Sequence, residues 1–299
     1  MKKSIKIIKA ISEMCSAIIL KLDKKEHTAF FAETGFSDDE KELMINTSVK
    51  TQKAVKKAIT DQYVAILVQV DELKKLSKEK KLVTKDDGRD EDIQKQIDMI
   101  VSLIMAFIFI RSFKIGDIIA DEQEVMFLAL AKQTLENMGF DGDVDKKAKQ
   151  LLREWKRDYS IFIGKVLNES TEESIKRIIN KVVRDNIGSS LGHIVGEVEK
   201  KLIDYFSHED ERSSGIAQNE TLRVGNTVLF LCALSSGKKT KTWKTMGDSR
   251  VRPAHKKADG QTVGINEYFL VDGEKLRYPQ DPLGSVGNTV RCRCWVEYS

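Results

Sequence analysis

The sequence predicts an α+β fold: a long, mostly helical N-terminal region followed by a small C-terminal domain of helix plus antiparallel sheet. Three observations carry this. The only prolines are Pro253, Pro279 and Pro282, so the first 252 residues lack the residue that most often breaks a helix. That proline-free stretch is rich in Lys, Glu, Ile and Leu, with apolar residues recurring at helical spacing to about Tyr205. Beyond Gly237 the period changes, and glycine, proline and aromatic residues become frequent. At 299 residues, 41% hydrophobic and 32% charged, the chain has a globular composition and ample length for a core, which excludes a disordered or fibrous protein.

At the N-terminus Lys2, Lys3, Lys6 and Lys9 precede an apolar stretch, as in an export signal. Ser12 and Glu13 interrupt that stretch, Lys21 closes it, and no small-residue cleavage site follows. Ile5, Ile8, Ile11, Met14, Ile18 and Leu22 instead mark one face of an amphipathic helix. With no secretion signal, Cys15, Cys232, Cys292 and Cys294 are expected as free thiols in a reducing compartment.

Punctuation then divides the helices. The first break is at residues 35–39, where Ser37 or Asp38 can cap the next helix. Residues 84–92 (TKDDGRDED) form a polar loop. The apolar run at 99–110 spans twelve residues, short of the ~20 needed to cross a bilayer, and is expected as a core helix. Residues 139–145 (GFDGDVD) resemble the start of a calcium loop. Lys146 stands where the turn glycine belongs and Leu152 where the bidentate glutamate belongs, so the segment is a turn with an acidic helix start. Residues 168–171 (NEST) are expected to cap a further helix, and Gly188, Gly192 and Gly196 to share one helix face for close packing. Residues 207–214 (SHEDERSS) form the best linker candidate, and a helix over about 215–234 follows it, ended by Gly237.

The C-terminal part carries a hairpin signal. Tyr268 to Val271, then Asp272-Gly273, then Glu274 to Tyr278 places a positive-φ-tolerant pair between two short strands. A last strand over 289–296 would put Val290, Cys292, Cys294 and Val296 on one face, opposite Arg291, Arg293 and Trp295.

Net charge is +4, from 50 basic and 46 acidic residues, so the chain is no polycation. Residues 236–257 differ: Lys238, Lys239, Lys241, Lys244, Arg250, Arg252, Lys256 and Lys257 face the single acid Asp248. Such a field favours phosphate, and a solvated basic loop is the plain alternative. Within the same stretch Asp248, Arg250, Arg252 and His255 lie close together, with Cys292 and Cys294 some forty residues later. Three readings fit these types. Asp248 can pair with Arg250 or Arg252, or orient His255, in a structural polar network. Asp248, His255, Cys292 and Cys294 are acceptable zinc ligands, although the two-pair Cys-x-x-Cys pattern is absent. An Asp248–His255 pair with a cysteine nucleophile is the third. A disulfide between Cys292 and Cys294 is disfavoured by extended geometry.

The order Ala217…Glu220-Thr221, Trp243, Asp248-x-Arg250-x-Arg252-x-x-His255, Gly260, Phe269, Pro279-x-Asp281 and Cys292-Arg293-Cys294 resembles the phage Mu F-like minor head protein family, over about residues 216–295. The sequence departs from the family pattern in two places. Gln218-Asn219 stands where Arg-Thr is usual, and Arg291 precedes the Cys-Arg-Cys in place of Asn, with Asn288 three positions earlier.

The resemblance implies a division into a helical N-terminal region, 1–206, and a Mu F-like head morphogenesis domain, 207–299. It implies a non-enzymatic minor head protein of a phage or prophage, without cofactor. That protein would be bound near the portal and would assist head assembly and DNA packaging or ejection. The implied partners are the portal protein, packaged double-stranded DNA, and capsid or scaffold proteins, with no membrane. Its place would be the host cytoplasm during assembly and then the virion head interior. Some relatives carry an effector enzyme after this domain; here the chain ends five residues past Cys294, which argues for the non-enzymatic reading.

On this view Trp243, Asp248, Arg250, Arg252, His255, Asp281, Cys292 and Cys294 form a structural network. Lys238, Lys239, Lys241, Lys244, Lys256 and Lys257 would contact nucleic acid, and Trp243 is expected in the core rather than stacked on a base. The rivals are a metal-dependent hydrolase or nuclease toxin using Asp248, His255, Cys292 and Cys294, and a general nucleic-acid-binding module.

Overall fold

A computed structural model describes residues 24–79 and 90–299. The expected helix carrying Ile5 to Leu22, Cys15, and the loop at residues 84–89 lie outside the described residues. The architecture is α+β, as predicted. The helices of the N-terminal region are α1 (Lys24–Ala32), α2 (Asp38–Glu79), α3 (Asp90–Asn137), α4 (Val144–Asp185) and α5 (Leu191–Ser207). There follow α6 (Glu209–Ser235), β1 (Thr240–Lys244), α7 (Pro253–Ala258), β2 (Thr262–Gly264), β3 (Phe269–Val271), β4 (Glu274–Leu276), α8 (Val286–Thr289) and β5 (Trp295–Tyr298). Among the described residues no helix is long and apolar enough to cross a membrane. The apolar run at 99–110 lies inside α3.

Two compact units are built from interleaved parts of the chain. One holds residues 56–79, 90–117 and 160–212 and is wholly helical. Its core includes Ile59, Tyr63, Ile66, Ile179, Val198, Leu202 and Phe206, with the Tyr63 and Phe206 rings 4.6 Å apart. Gly116 is required there, because a Cβ at that position would overlap the Ser160 carbonyl oxygen of α4. Ser190 caps α5, its hydroxyl accepting from the His193 N–H at 3.3 Å.

The other unit holds residues 24–55, 118–159 and 213–299. Ser37 and Glu40 form a reciprocal capping box that starts α2. The Ser37 N–H donates to Glu40 Oε2 at 2.7 Å, and the Glu40 N–H donates back to Ser37 Oγ at 3.4 Å. Asp143 caps α4 by accepting from the Lys146 N–H at 2.9 Å, as its acidic start predicts. Phe127, Trp155 and Tyr159 stack in sequence at 4.9 and 4.6 Å. A three-stranded antiparallel sheet of order β2-β1-β5 and the β3–β4 hairpin complete the unit. The hairpin turn is the expected one, with φ of 51° at Asp272 and 79° at Gly273.

Several local expectations are corrected. Residues 207–214 are no extended linker: α5 ends at Ser207 and α6 begins at Glu209, so helix runs through most of the segment, while the boundary between the two compact units falls within it, after Arg212. Residues 168–171 cap nothing and lie inside the unbroken α4. Gly188 has φ +84° and ends a turn before α5, so only Gly192 and Gly196 are helical. The final strand covers only Trp295–Tyr298. Residues 286–289 form α8, and Arg291 takes φ +56°, a left-handed conformation no strand accepts.

Candidate functional site

The C-terminal core is centred on Trp243. The alternation of β1 buries Lys241 and Trp243 and leaves Thr240, Thr242 and Lys244 partly exposed. The Trp243 indole is fully buried, edge-on to His255 at 5.7 Å and to Phe269 at 5.3 Å. Pro253 opens α7, where its missing N–H costs nothing, and the helix turns His255 inward to 1% exposure.

Both ring nitrogens of His255 are engaged. Nε2 lies 3.4 Å from Asn288 Oδ1, while Asn288 Nδ2 donates to the Val271 carbonyl at 3.3 Å. The Asn288 amide is thereby oriented, and Nε2 must carry the ring proton. Nδ1 then presents its lone pair to two sulfurs, Cys294 Sγ at 3.4 Å and Cys292 Sγ at 3.5 Å. The three donor atoms of His255, Cys292 and Cys294 all lie within 4.8 Å of one another, and all three residues are buried. The two cysteines remain free thiols. They titrate as a pair: the hydrogen bond from Cys294 lowers the Cys292 thiol against the cost of burial. That same interaction, with burial, pushes Cys294 up.

Asp248 stands apart from this cluster. Its Oδ1 accepts from the backbone N–H of Arg250 and Val251 at 3.0 and 3.1 Å, which closes the turn before α7. Arg293, the residue between the cysteines, donates through Nη2 to both Asp248 oxygens at 2.9 and 2.8 Å. This bond, first among several, holds the Asp248 carboxyl below its ordinary range. Arg293 Nη1 also donates to Glu33 Oε2 at 2.9 Å, and Arg250 pairs with the same carboxylate. Arg252 donates to the Val290 carbonyl. Asp248 therefore partners Arg293 rather than Arg252 or His255, with Arg250 Nε a distant 3.7 Å away.

Asp281 forms a separate buried node. It is fully buried and receives Arg277 Nε at 2.8 Å and Nη2 at 2.7 Å, with the backbone N–H of Arg277 and Leu283 at 2.8 and 3.0 Å. The carboxylate raises the pKa of Arg277.

Of the basic segment, Lys239, Lys256 and Lys257 are exposed and Lys238 is half-buried. Lys244 pairs with Glu297 at 3.3 Å. Lys241 is a correction: it is 1% exposed and its Nζ donates to the Arg277 carbonyl at 2.9 Å between the Phe230 and Phe269 rings. It shares the inward parity of Trp243 and has no access to a phosphate. Burial lowers its pKa to about 8.

Two cavities adjoin the site. A small one of about 20 Å³ is lined by Met246, Arg250, Val251, Arg252, Arg291 and Arg293 together with His255, Cys292 and Cys294. A larger one of about 510 Å³ brings Arg250, Arg252, Arg291 and Arg293 around Glu26, Glu33, Phe30 and Gln218. Sequence reasoning overlooked Glu33, Arg277 and the role of Arg293. No local spacing announces Glu33, which lies 217 residues before Arg250. Alternation along the terminal segment pointed Arg293 away from the cysteines correctly, but not toward Asp248. Asn219, one of the departures from the family pattern, accepts the Arg291 N–H at 3.0 Å and Gln280 Nε2 at 3.1 Å.

Residues 177–297 match the family described as Phage Mu protein F like protein. The match spans α6, β1 to β4, all of β5 but Tyr298 and every residue of the Trp243–His255–cysteine cluster, and it supports a head-morphogenesis protein of a bacteriophage. Neither a curated protein nor a solved structure matches the chain.

Proposed function

We propose that this chain, carrying a Mu F-like domain at residues 177–297, is a minor head protein that docks near the portal and contacts packaged double-stranded DNA. It acts without enzymatic turnover, assisting head assembly and DNA packaging or ejection alongside capsid or scaffold proteins. It assembles in the host cytoplasm and ends in the head interior. The observation that carries the reading is the family match over the segment whose motif residues fall into three groups: the buried His255–Cys292–Cys294 cluster, the Asp248–Arg293 pair and the Asp281–Arg277 node.

The surface chemistry agrees with it. Exposed Lys239, Lys256 and Lys257 lie in the segment that also supplies Arg250 and Arg252 to the larger cavity. Arg250 already pairs with Glu33, so the exposed lysines of this segment are the groups suited to phosphate. A hydrolase built on an Asp248–His255 pair needs those two side chains together. Here Arg293 occupies Asp248 and Asn288 occupies Nε2 of His255.

Co-expression with the portal protein of the same phage tests the proposal. The expected result is a complex that survives size exclusion and native mass spectrometry. Separate elution of the two proteins at assembly concentrations would overturn it.

A further inference from the structure

We infer that His255, Cys292 and Cys294 form a mononuclear zinc site whose fourth position is held by water. The argument is geometric. A tetrahedral zinc ion with bonds of ~2.3 Å to sulfur and ~2.0–2.1 Å to imidazole nitrogen separates those donor atoms by about 3.5 Å. The observed separations of Nδ1 from the two sulfurs are 3.4 and 3.5 Å.

The surroundings are those a metal-bound histidine needs. Asn288 takes the Nε2 proton, and its own amide is fixed by the Val271 carbonyl, so the lone pair on Nδ1 faces the sulfurs before any ion arrives. The fully buried Trp243 Nε1–H has no hydrogen-bond partner among the described residues. It lies in the ring cluster around His255, its ring 5.7 Å from the imidazole. Metal-bound sulfur, richer in charge than a thiol, is the acceptor that indole lacks.

Among the described residues no fourth histidine, cysteine or carboxylate joins the group. The adjoining cavity of about 20 Å³ is room for one water, the usual occupant of an incomplete zinc sphere. Two thiolates and an imidazole select zinc over magnesium or calcium, whose ligands are oxygen. On binding, Cys292 and Cys294 release their thiol protons to solvent. The ion then ties α7 to the segment between α8 and β5, two pieces of chain nearly forty residues apart that no strand pairing joins.

The test uses the full-length chain purified under reducing conditions with zinc present. Native mass spectrometry is expected to find one zinc per chain, retained in Asp248→Asn and Cys232→Ser and lost in Cys294→Ser and His255→Ala. Should those last two variants fail to fold, cobalt substitution of the unmutated protein decides. Visible bands of a tetrahedral ion and a near-ultraviolet thiolate-to-cobalt transition are expected. The proposal is overturned by metal-free protein with both thiols open to alkylation, by a Cys292–Cys294 disulfide in the native protein, or by zinc that persists in Cys294→Ser.

Discussion

Arg293 Nη2 sits 2.9 and 2.8 Å from the two carboxylate oxygens of Asp248, and this pair ties the Cys-Arg-Cys segment to the turn that starts α7. The two cysteines point inward to His255 while the residue between them grips the turn from outside. Asp248 thus acts as a strut. Because its pKa is lowered in the folded state, its stabilising contribution is present above the ordinary carboxylate pKa and is lost as pH falls through the depressed value. Asp248→Asn and Arg293→Ala are each expected to lower Tm at pH 7, and their combination to add little to either alone. The difference between Asp248→Asn and the unmutated protein should shrink as pH falls below the ordinary carboxylate range. Additive losses, or a difference that persists in acid, would break this assignment.

Asp281 is a stronger dependence. It is fully buried, and four donors from Arg277 and Leu283 satisfy it. Removing its charge leaves the partly exposed guanidinium of Arg277 to solvent and strands two backbone N–H groups around the turn at Gln280, whose φ is +63°. Asp281→Ala is expected to cost about 2–3 kcal/mol in denaturant unfolding, chiefly for the backbone donors left without an acceptor. Arg277→Ala should cost a similar amount, and a loss below ~1 kcal/mol in both would mean the node is dispensable.

What the sequence made legible follows from the range of the interactions. The helical character of the N-terminal region, the Asp272-Gly273 hairpin and the acidic start of α4 are decided by residues within a few positions of one another and appear as expected, whereas the helix breaks expected at 168–171 and 207–214 do not. A grouping of His255 with Cys292 and Cys294 was one of several readings open to their residue types, and it is reached through a left-handed Arg291 and a short α8 rather than a strand. Charge density misled at Lys241, because a basic run suggests solvent while the period of β1 turns that one lysine inward beside Trp243. Glu33 was invisible, since its partners Arg250 and Arg293 meet it only when the chain is folded.

Lys241 gives a pH signature. Its pKa falls to about 8 in the folded protein, chiefly through burial, against 10.5 when exposed. The unfolded chain therefore binds the proton more tightly between those values, and the native state gains stability as pH rises through that interval. Below pH 8 both states are protonated and the penalty on the buried ammonium is fully present. Lys241→Met removes the titration while keeping the length of the side chain. The stability of the unmutated protein relative to Lys241→Met is expected to increase from pH 8 to pH 10, measured by urea unfolding at each pH. A constant difference would show that the lysine enters the core uncharged at neutral pH or titrates as if exposed.

The same burial sharpens the expectation for DNA. Lys239, Lys256 and Lys257 are exposed, whereas Lys241 is enclosed and bonded to the Arg277 carbonyl. Each exposed lysine that neutralises a phosphate releases a counterion, so affinity for double-stranded DNA should fall steeply with salt. Lys256→Ala/Lys257→Ala is expected to weaken binding irrespective of base sequence and to reduce the logarithmic salt slope by about 2, near one unit per lost contact. Lys241→Met should leave that slope unchanged. Fluorescence anisotropy across a salt series reads all three proteins. An affinity that is flat with salt, or a slope that responds to Lys241 and not to Lys256 and Lys257, would remove this surface from DNA contact.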